Sequence, residues 1–264
     1  MNATAKRVIR QAVLQKGYTE SPAGSNRTKF GKAFGLNGES WCAIFEWWCG
    51  DTAKGTNPIA HSASAAYIQE ATVDKGGKWI MRKTGLNSTK RDGFTKAKLG
   101  DIVSFDFGRN NLYRQHTGFV IGKNGNSYIC IEGNTSSSDR GSQSNGGCVA
   151  VRTRPYTHVC SIVRPLYGEQ AKHKITKPYS GKIPKLPSRG EFTKKDNGEN
   201  LKALQKALNW ASGAGVEVDG IWGNETLFGV MWFQHFYGLT PDGAFGSKSL
   251  AKLKQVVADH KGDK

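Results

Sequence analysis

Residues 37–50 read Asn-Gly-Glu-Ser-Trp-Cys-Ala-Ile-Phe-Glu-Trp-Trp-Cys-Gly. Ser40 is a good N-cap residue, and the apolar run behind it predicts a helix from near Trp41 to about Gly50. Cys42 then falls in the first helical turn. There the free backbone N–H groups and the positive end of the helix dipole stabilise a thiolate, the reactive form of the side chain. Cys49 lies two turns further along the same face, gains nothing from the dipole, and reads as a packing residue. By itself, Cys42 also fits the bland role of a small buried hydrophobe.

Outward from this helix the pattern changes in a definite order. Val8, Ile9, Ala12 and Val13 recur at helical spacing, and a further helix is expected over 62–73. After Gly100 the apolar residues alternate with period two. Residues 101–107, 117–122, 128–132, 149–152 and 159–163 are strand candidates, and Asn124-Gly125 is a hairpin signal. Helices followed by an antiparallel meander make an α+β arrangement. Residues 135–147, rich in Ser and Gly, read as a mobile loop beside the strands.

A cysteine nucleophile needs a base from elsewhere in the chain. Of six histidines, His116 stands at the start of the strand 117–122, where a strand end can aim a side chain over a helix terminus. The hairpin that follows brings Glu132 to the same edge of the sheet. A carboxylate there can accept the second imidazole N–H, fixing the tautomer and stabilising the imidazolium. Asn134 can share or take over that task.

Composition shifts near residue 167. Residues 168–198 hold three prolines, several glycines and many lysines with few apolar side chains, and read as an extended, solvated linker. The chain thus divides into 1–167, a linker over 168–198, and 199–264. The last part carries helical spacing at Leu201, Leu204 and Leu208, over 226–233, and at Leu250, Leu253 and Val257, as expected of a small three-helix domain. Within it Asp219-Gly-Ile-Trp-Gly223 is repeated as Asp242-Gly-Ala-Phe-Gly246. Each Asp is expected to bond its own turn and to cap the helix that follows.

Hydrophobic residues are 37% and charged residues 22%, which excludes disorder throughout. The net charge of +17 is concentrated at +12 on residues 1–168 and +4 on 169–200, leaving +1 on the rest. Such a field suits a polyanion, nucleic acid or cell-wall polymer alike, and charge alone does not choose. Five cysteines, an odd number in a chain of this size, argue against a disulfide framework. Neither a CxxC pair nor HExxH is present, so no metal is expected from the zinc signatures. No apolar run is long enough to span a bilayer, and residues 8–16 are too polar for a secretory core.

Residues Gly24 to Gly31, Leu36-Asn-Gly38 and Trp41-Cys-Ala43 resemble the start of CHAP domains, the cysteine-, histidine-dependent amidohydrolases/peptidases. Leu99-Gly-Asp-Ile-Val103, His116-Thr-Gly-Phe-Val120 and Ile131-Glu-Gly-Asn-Thr135 resemble the later motifs of that family, in the same order. The resemblance covers roughly residues 15–167. It implies a papain-like fold with Cys42 as nucleophile, His116 as general base, and Glu132 and Asn134 orienting the histidine. Some members bind calcium in an Asp-rich loop before the cysteine; here 20–40 hold only Glu20 and Glu39 as acids. Residues 199–257 resemble the three-helix peptidoglycan-binding domain found beside many wall hydrolases.

Together the two resemblances imply a wall hydrolase of phage-endolysin type, without cofactor. Its expected partners are bacterial peptidoglycan and associated anionic wall polymers, not nucleic acid, with no stable membrane insertion and a monomeric state. It is expected to fold in the host cytoplasm and reach the wall through a membrane lesion. The bond is either the N-acetylmuramoyl-L-alanine amide or a peptide cross-link. Trp41, Trp210 and Trp222 are candidate substrate contacts. A non-catalytic wall-binding protein and a bacterial autolysin are the alternative readings.

Overall fold

The helix around Cys42 runs to Thr52 in the computed structural model, which describes residues 1–82, 95–108, 114–138, 142 and 145–261. The chain divides into two compact units, Met1–Gln170 and Ala171–Lys264.

In the first unit, α1 (Ala5–Leu14) starts where the Thr4 hydroxyl accepts the Arg7 N–H at 3.3 Å, and it buries Val8, Ile9, Ala12 and Val13. A short helix not foreseen from the pattern, α2 (Lys29–Phe34), uses the same device: Thr28 Oγ1 accepts from Gly31 N at 2.9 Å. The helix that begins at Cys42 is α3 (Cys42–Thr52). Its N-cap is Trp41, not Ser40, and no side chain caps it. What fixes the helix start is burial: the Trp41 indole is fully enclosed against Phe30 and Phe45. Burying each such ring contributes roughly 1.5–3 kcal/mol. The expected helix over 62–73 is only α4 (Ile68–Asp74); the preceding residues turn on Ser64 O, which accepts from Tyr67 N and Ile68 N.

The strands are β1 (Lys78–Arg82), β2 (Ile102–Phe105), β3 (His116–Asn124), β4 (Ser127–Thr135), β5 (Cys148–Pro155) and β6 (Val159–Arg164). Among the described residues they form one antiparallel sheet in the order β1-β6-β2-β3-β4-β5. The expected meander therefore holds only from β2 to β5. After β5 the chain crosses back and inserts β6 beside β2, and β1, absent from the sequence expectation, closes that edge. The Asn124-Gly125 hairpin is present: Asn124 pairs with Ser127, and Gly125 takes φ +53°. Of the expected loop 135–147, residues 139–141, 143 and 144 lie outside the described residues, as do residues 83–94.

One face of the sheet packs Val103, Phe105, Val120, Tyr128, Cys130 and Ile162 into a closed cluster. Against the other lies α3. Gly133 makes this close approach possible: a Cβ there would stand 2.6 Å from Phe45 Cβ and 2.9 Å from the Trp41 ring. All five cysteines are free thiols.

The second unit holds α5 (Glu199–Ser212), α6 (Asn224–Phe236) and α7 (Ser247–Asp259). The internal repeat has a physical basis. Gln205 on α5 donates to Asp219 Oδ1 at 2.7 Å and to Thr226 Oγ1 at 2.9 Å, and accepts from Gly220 N at 2.8 Å. Gln234 on α6 repeats this with Asp242, Ser249 and Gly243 at 2.7, 3.3 and 3.0 Å. Each Asp bonds its own turn, to Ile221 N and Ala244 N, but neither caps a helix: the N-caps are Gly223 and Gly246. The aspartate oxygens are occupied by glutamine and turn amides instead.

Residues 171–198 contain no helix or strand element, yet they are not solvated throughout. His173 Nε2 bonds Trp210 O at 2.7 Å, the Trp210 indole N–H donates to Lys177 O at 2.9 Å, and Phe192 bridges to Phe245. This segment is clamped to the three helices by aromatic side chains that composition alone does not mark as anchors.

Candidate active site

Cys42 is the first residue of α3, so its backbone N–H is one of those left without an intrahelical acceptor. His116 is the first residue of β3 and is fully buried. Its Nε2 donates to Glu132 Oε2 at 2.9 Å. That leaves Nδ1 for the sulfur. Nδ1 has no partner of regular hydrogen-bond geometry, yet the ring senses the Cys42 side chain through hydrogen bonding and charge.

Glu132 on β4 is also fully buried and is held from behind. Arg154 on β5 donates through Nε to Glu132 Oε1 at 2.8 Å, through a guanidinium NH₂ to Oε2, and to Thr135 Oγ1 at 3.1 Å. The guanidinium lies over the Phe107 ring at 4.9 Å and the Phe105 ring at 5.5 Å. The result is a chain of alternating partners from Arg154 through Glu132 to His116. Burial pushes the Glu132 carboxyl up, but the bonds from Arg154 and His116 outweigh it and leave it below the ordinary carboxylate range. For His116, burial opposes the charged ring; the bonds to Cys42 and Glu132 overcome this and push its pKa up to about 9. At neutral pH the ring is an imidazolium.

A pH dependence of stability follows. His116 gains protonation in the folded state, so its contribution is complete below its unfolded value of about 6.5. That contribution fades as pH rises through about 9. The melting temperature is expected to fall between these values in wild type. A His116→Gln variant, which cannot titrate, should lose that slope; an unchanged slope would refute the assignment.

Gly118 explains how Glu132 reaches the histidine. A Cβ at Gly118 would sit 2.5 Å from Glu132 Cγ. Gly118→Ala is expected to displace the carboxylate and cost about 1–3 kcal/mol by overpacking, which thermal melts measure.

Asn134, expected to orient the histidine, does other work. It is buried with φ +54°, and its amide donates to Asn145 Oδ1 at 2.9 Å and Asn26 Oδ1 at 3.3 Å while its oxygen accepts from Gly147 N at 3.2 Å. It ties loops together, and the orienting contact is made by Glu132. Trp41, a candidate substrate contact, is fully buried, with its N–H toward Glu20 Oε2 at 3.4 Å. Trp210 is covered by Tyr179 at 4.9 Å and bonded to Lys177 O, and Trp222 stacks parallel on Phe192 at 6.3 Å. Both half-buried indoles thus pack on their own chain. Glu20, one of two acids before the cysteine, accepts from the N–H groups of Gly24 and Asn26 and so shapes a loop. Among the described residues no group of three or more His, Cys, Asp or Glu is arranged to hold a metal ion. No described helix is long and apolar enough to cross a membrane.

Two sequence signals were missed. Arg154 stands in Val-Arg-Thr-Arg-Pro, which reads as a solvated strand end although its arginines are buried. Glu46, one turn after Cys42, is a carboxyl in an otherwise apolar helix run and is fully buried.

This geometry has a counterpart among known families. Residues 34–134 match the CHAP domain, and residues 197–253 match the putative peptidoglycan binding domain. An uncharacterized protein in the bpoA1 3'region of Kitasatospora aureofaciens is 46% identical over 59 residues, which are 22% of this chain and 50% of that protein. The chain thus spans half the length of that relative. The crystal structure of a wild type endolysin, LysIME-EF1, is 19% identical with a TM-score of 0.39, over 62% of this chain and 65% of that one.

Proposed function

We propose that the protein is a peptidoglycan hydrolase of endolysin type that cleaves an amide bond of the bacterial wall. Cys42 is the nucleophile, His116 the general acid and base, and Glu132 the residue that orients and charges the ring. The single observation that carries this reading is the fully buried His116, bonded through Nε2 to buried Glu132 at 2.9 Å.

The Cys42 sulfur attacks the amide carbonyl as a thiolate, with the charged His116 ring beside it. The backbone N–H of Cys42, at the helix N-terminus, donates to the developing oxyanion. His116 then protonates the leaving amine, and water attacks the thioester with the now neutral ring as base. The second unit holds the enzyme on peptidoglycan, which raises the local concentration of scissile bonds. The basic charge adds attraction to anionic wall polymers. Synthesis in the host cytoplasm and release through a membrane lesion complete this reading, with a monomer as the working unit.

Purified protein added to isolated walls should clear turbidity, with new amino groups in the released fragments. Mass spectrometry of those fragments reads the bond: a freed L-alanine amine marks an amidase, a freed cross-link amine an endopeptidase. Clearing without new amines would overturn the amide-cleaving assignment.

A further inference from the structure

Glu46 sits one turn after Cys42 on α3, fully buried. Its Oε1 is 3.0 Å from Thr117 Oγ1, and Thr117 directly follows His116 on β3. The same hydroxyl is 3.2 Å from Val103 O. A threonine has one hydroxyl proton and cannot donate to both acceptors at full strength. If Glu46 carries a proton, both contacts are made: the acid donates to Thr117 Oγ1, and Thr117 donates to Val103 O. Glu46 Oε2 is buried with no hydrogen-bond partner, a position that a neutral acid tolerates far better than a carboxylate.

We infer that Glu46 is a positioning residue held as a neutral acid, whose O–H to Thr117 fastens the histidine strand to the cysteine helix. The neutral state avoids a second negative charge behind the nucleophile. This inference rests on the assignment of Cys42 and His116 as the reacting pair.

The titratable surroundings support it. Burial is the largest influence on Glu46 and pushes its carboxyl well above the ordinary range; the charge on Cys42 adds to this, the Thr117 bond opposes it, and Glu132 on β4 adds further. Cys49 on α3, Cys130 on β4 and Tyr167 after β6 also sense Glu46, and each is itself pushed up by burial. His116 stands beside Thr117 but is matched by Glu132.

The test reads Cys42 directly and needs no cell wall. The rate of Cys42 alkylation by iodoacetamide would be followed against pH, by mass spectrometry of its peptide, in wild type, Glu46→Gln and Glu46→Met. Gln supplies an N–H donor in place of the acid, so its rate profile should match wild type within about twofold. Met removes the donor, and its rate at neutral pH should fall about tenfold as the pair loses alignment. The infrared difference spectrum of wild type against Glu46→Gln at neutral pH should contain the C=O stretch of a protonated carboxylic acid. Carboxylate bands in its place, or a Gln profile displaced to lower pH, would mean that Glu46 is charged and would overturn the proposal. So would a folded Met variant that alkylates like wild type. If Met does not fold, the Gln profile and the infrared band still decide. Walls left intact by an enzyme that passes these tests would count against the proposed hydrolysis and not against the role of Glu46.

Discussion

Cys42→Ala is expected to abolish wall clearing, by on the order of 10⁴–10⁶-fold, while leaving wall binding intact. Loss on this scale is the mark of a residue that forms the covalent intermediate. The substitution is structurally mild. The side chain is small and buried, and its place at the helix start depends on Trp41 rather than on sulfur. Activity and stability should therefore separate, with the melting temperature nearly unchanged. Co-sedimentation with walls should also be unchanged, since the second unit is a separate compact body. Clearing that persists in the variant would remove Cys42 from the mechanism.

Arg154→Met is expected to have the largest effect on folding. The side chain is 4% exposed, and its Nε and a guanidinium NH₂ hold the two oxygens of fully buried Glu132. Removing it strips most of the compensation from a buried charge. Breaking such a pair costs about 3–5 kcal/mol. In a unit of this size that corresponds to a fall in melting temperature of roughly 6–20 °C. Met keeps apolar contact with Phe105 and Phe107, so the loss reports on charge rather than on a cavity. The double variant Arg154→Met with Glu132→Gln should recover part of the stability, because the orphaned charge is gone. It should not recover activity, because His116 then lacks its carboxylate. A single variant as stable as wild type would contradict the account of the site.

Much of this arrangement was legible before any coordinates. Cys42 at a helix start and His116 at a strand start follow from local periodicity; Glu132, expected to end the next strand after one Asn-Gly turn, stands inside β4, which runs on to Thr135. Local patterns fix those relations because a hairpin leaves little freedom in register. Relations set by tertiary contacts were not legible. The insertion of β6 beside β2 depends on which edge of the sheet is free, and no short window records that. Arg154 reads as a surface charge until its partner is placed in space. Trp41 reads as a substrate platform because it adjoins Cys42, but packing turns it inward. Asn134 lies in the expected motif and at the expected edge, yet its amide turns toward Asn145 and Asn26. Periodicity locates a backbone; it does not decide which of several polar side chains wins a given bond.

The clamped stretch ahead of α5 matters to anyone wishing to transplant the three-helix unit onto another protein. Excision at the first helical residue would strip Phe192 from Phe245 and Trp222, and leave the Trp210 indole without Tyr179. Freshly bared rings of this kind invite clumping. A portable version should start near residue 171, keeping its own wrapping, and the graft partner should supply whatever slack is wanted upstream.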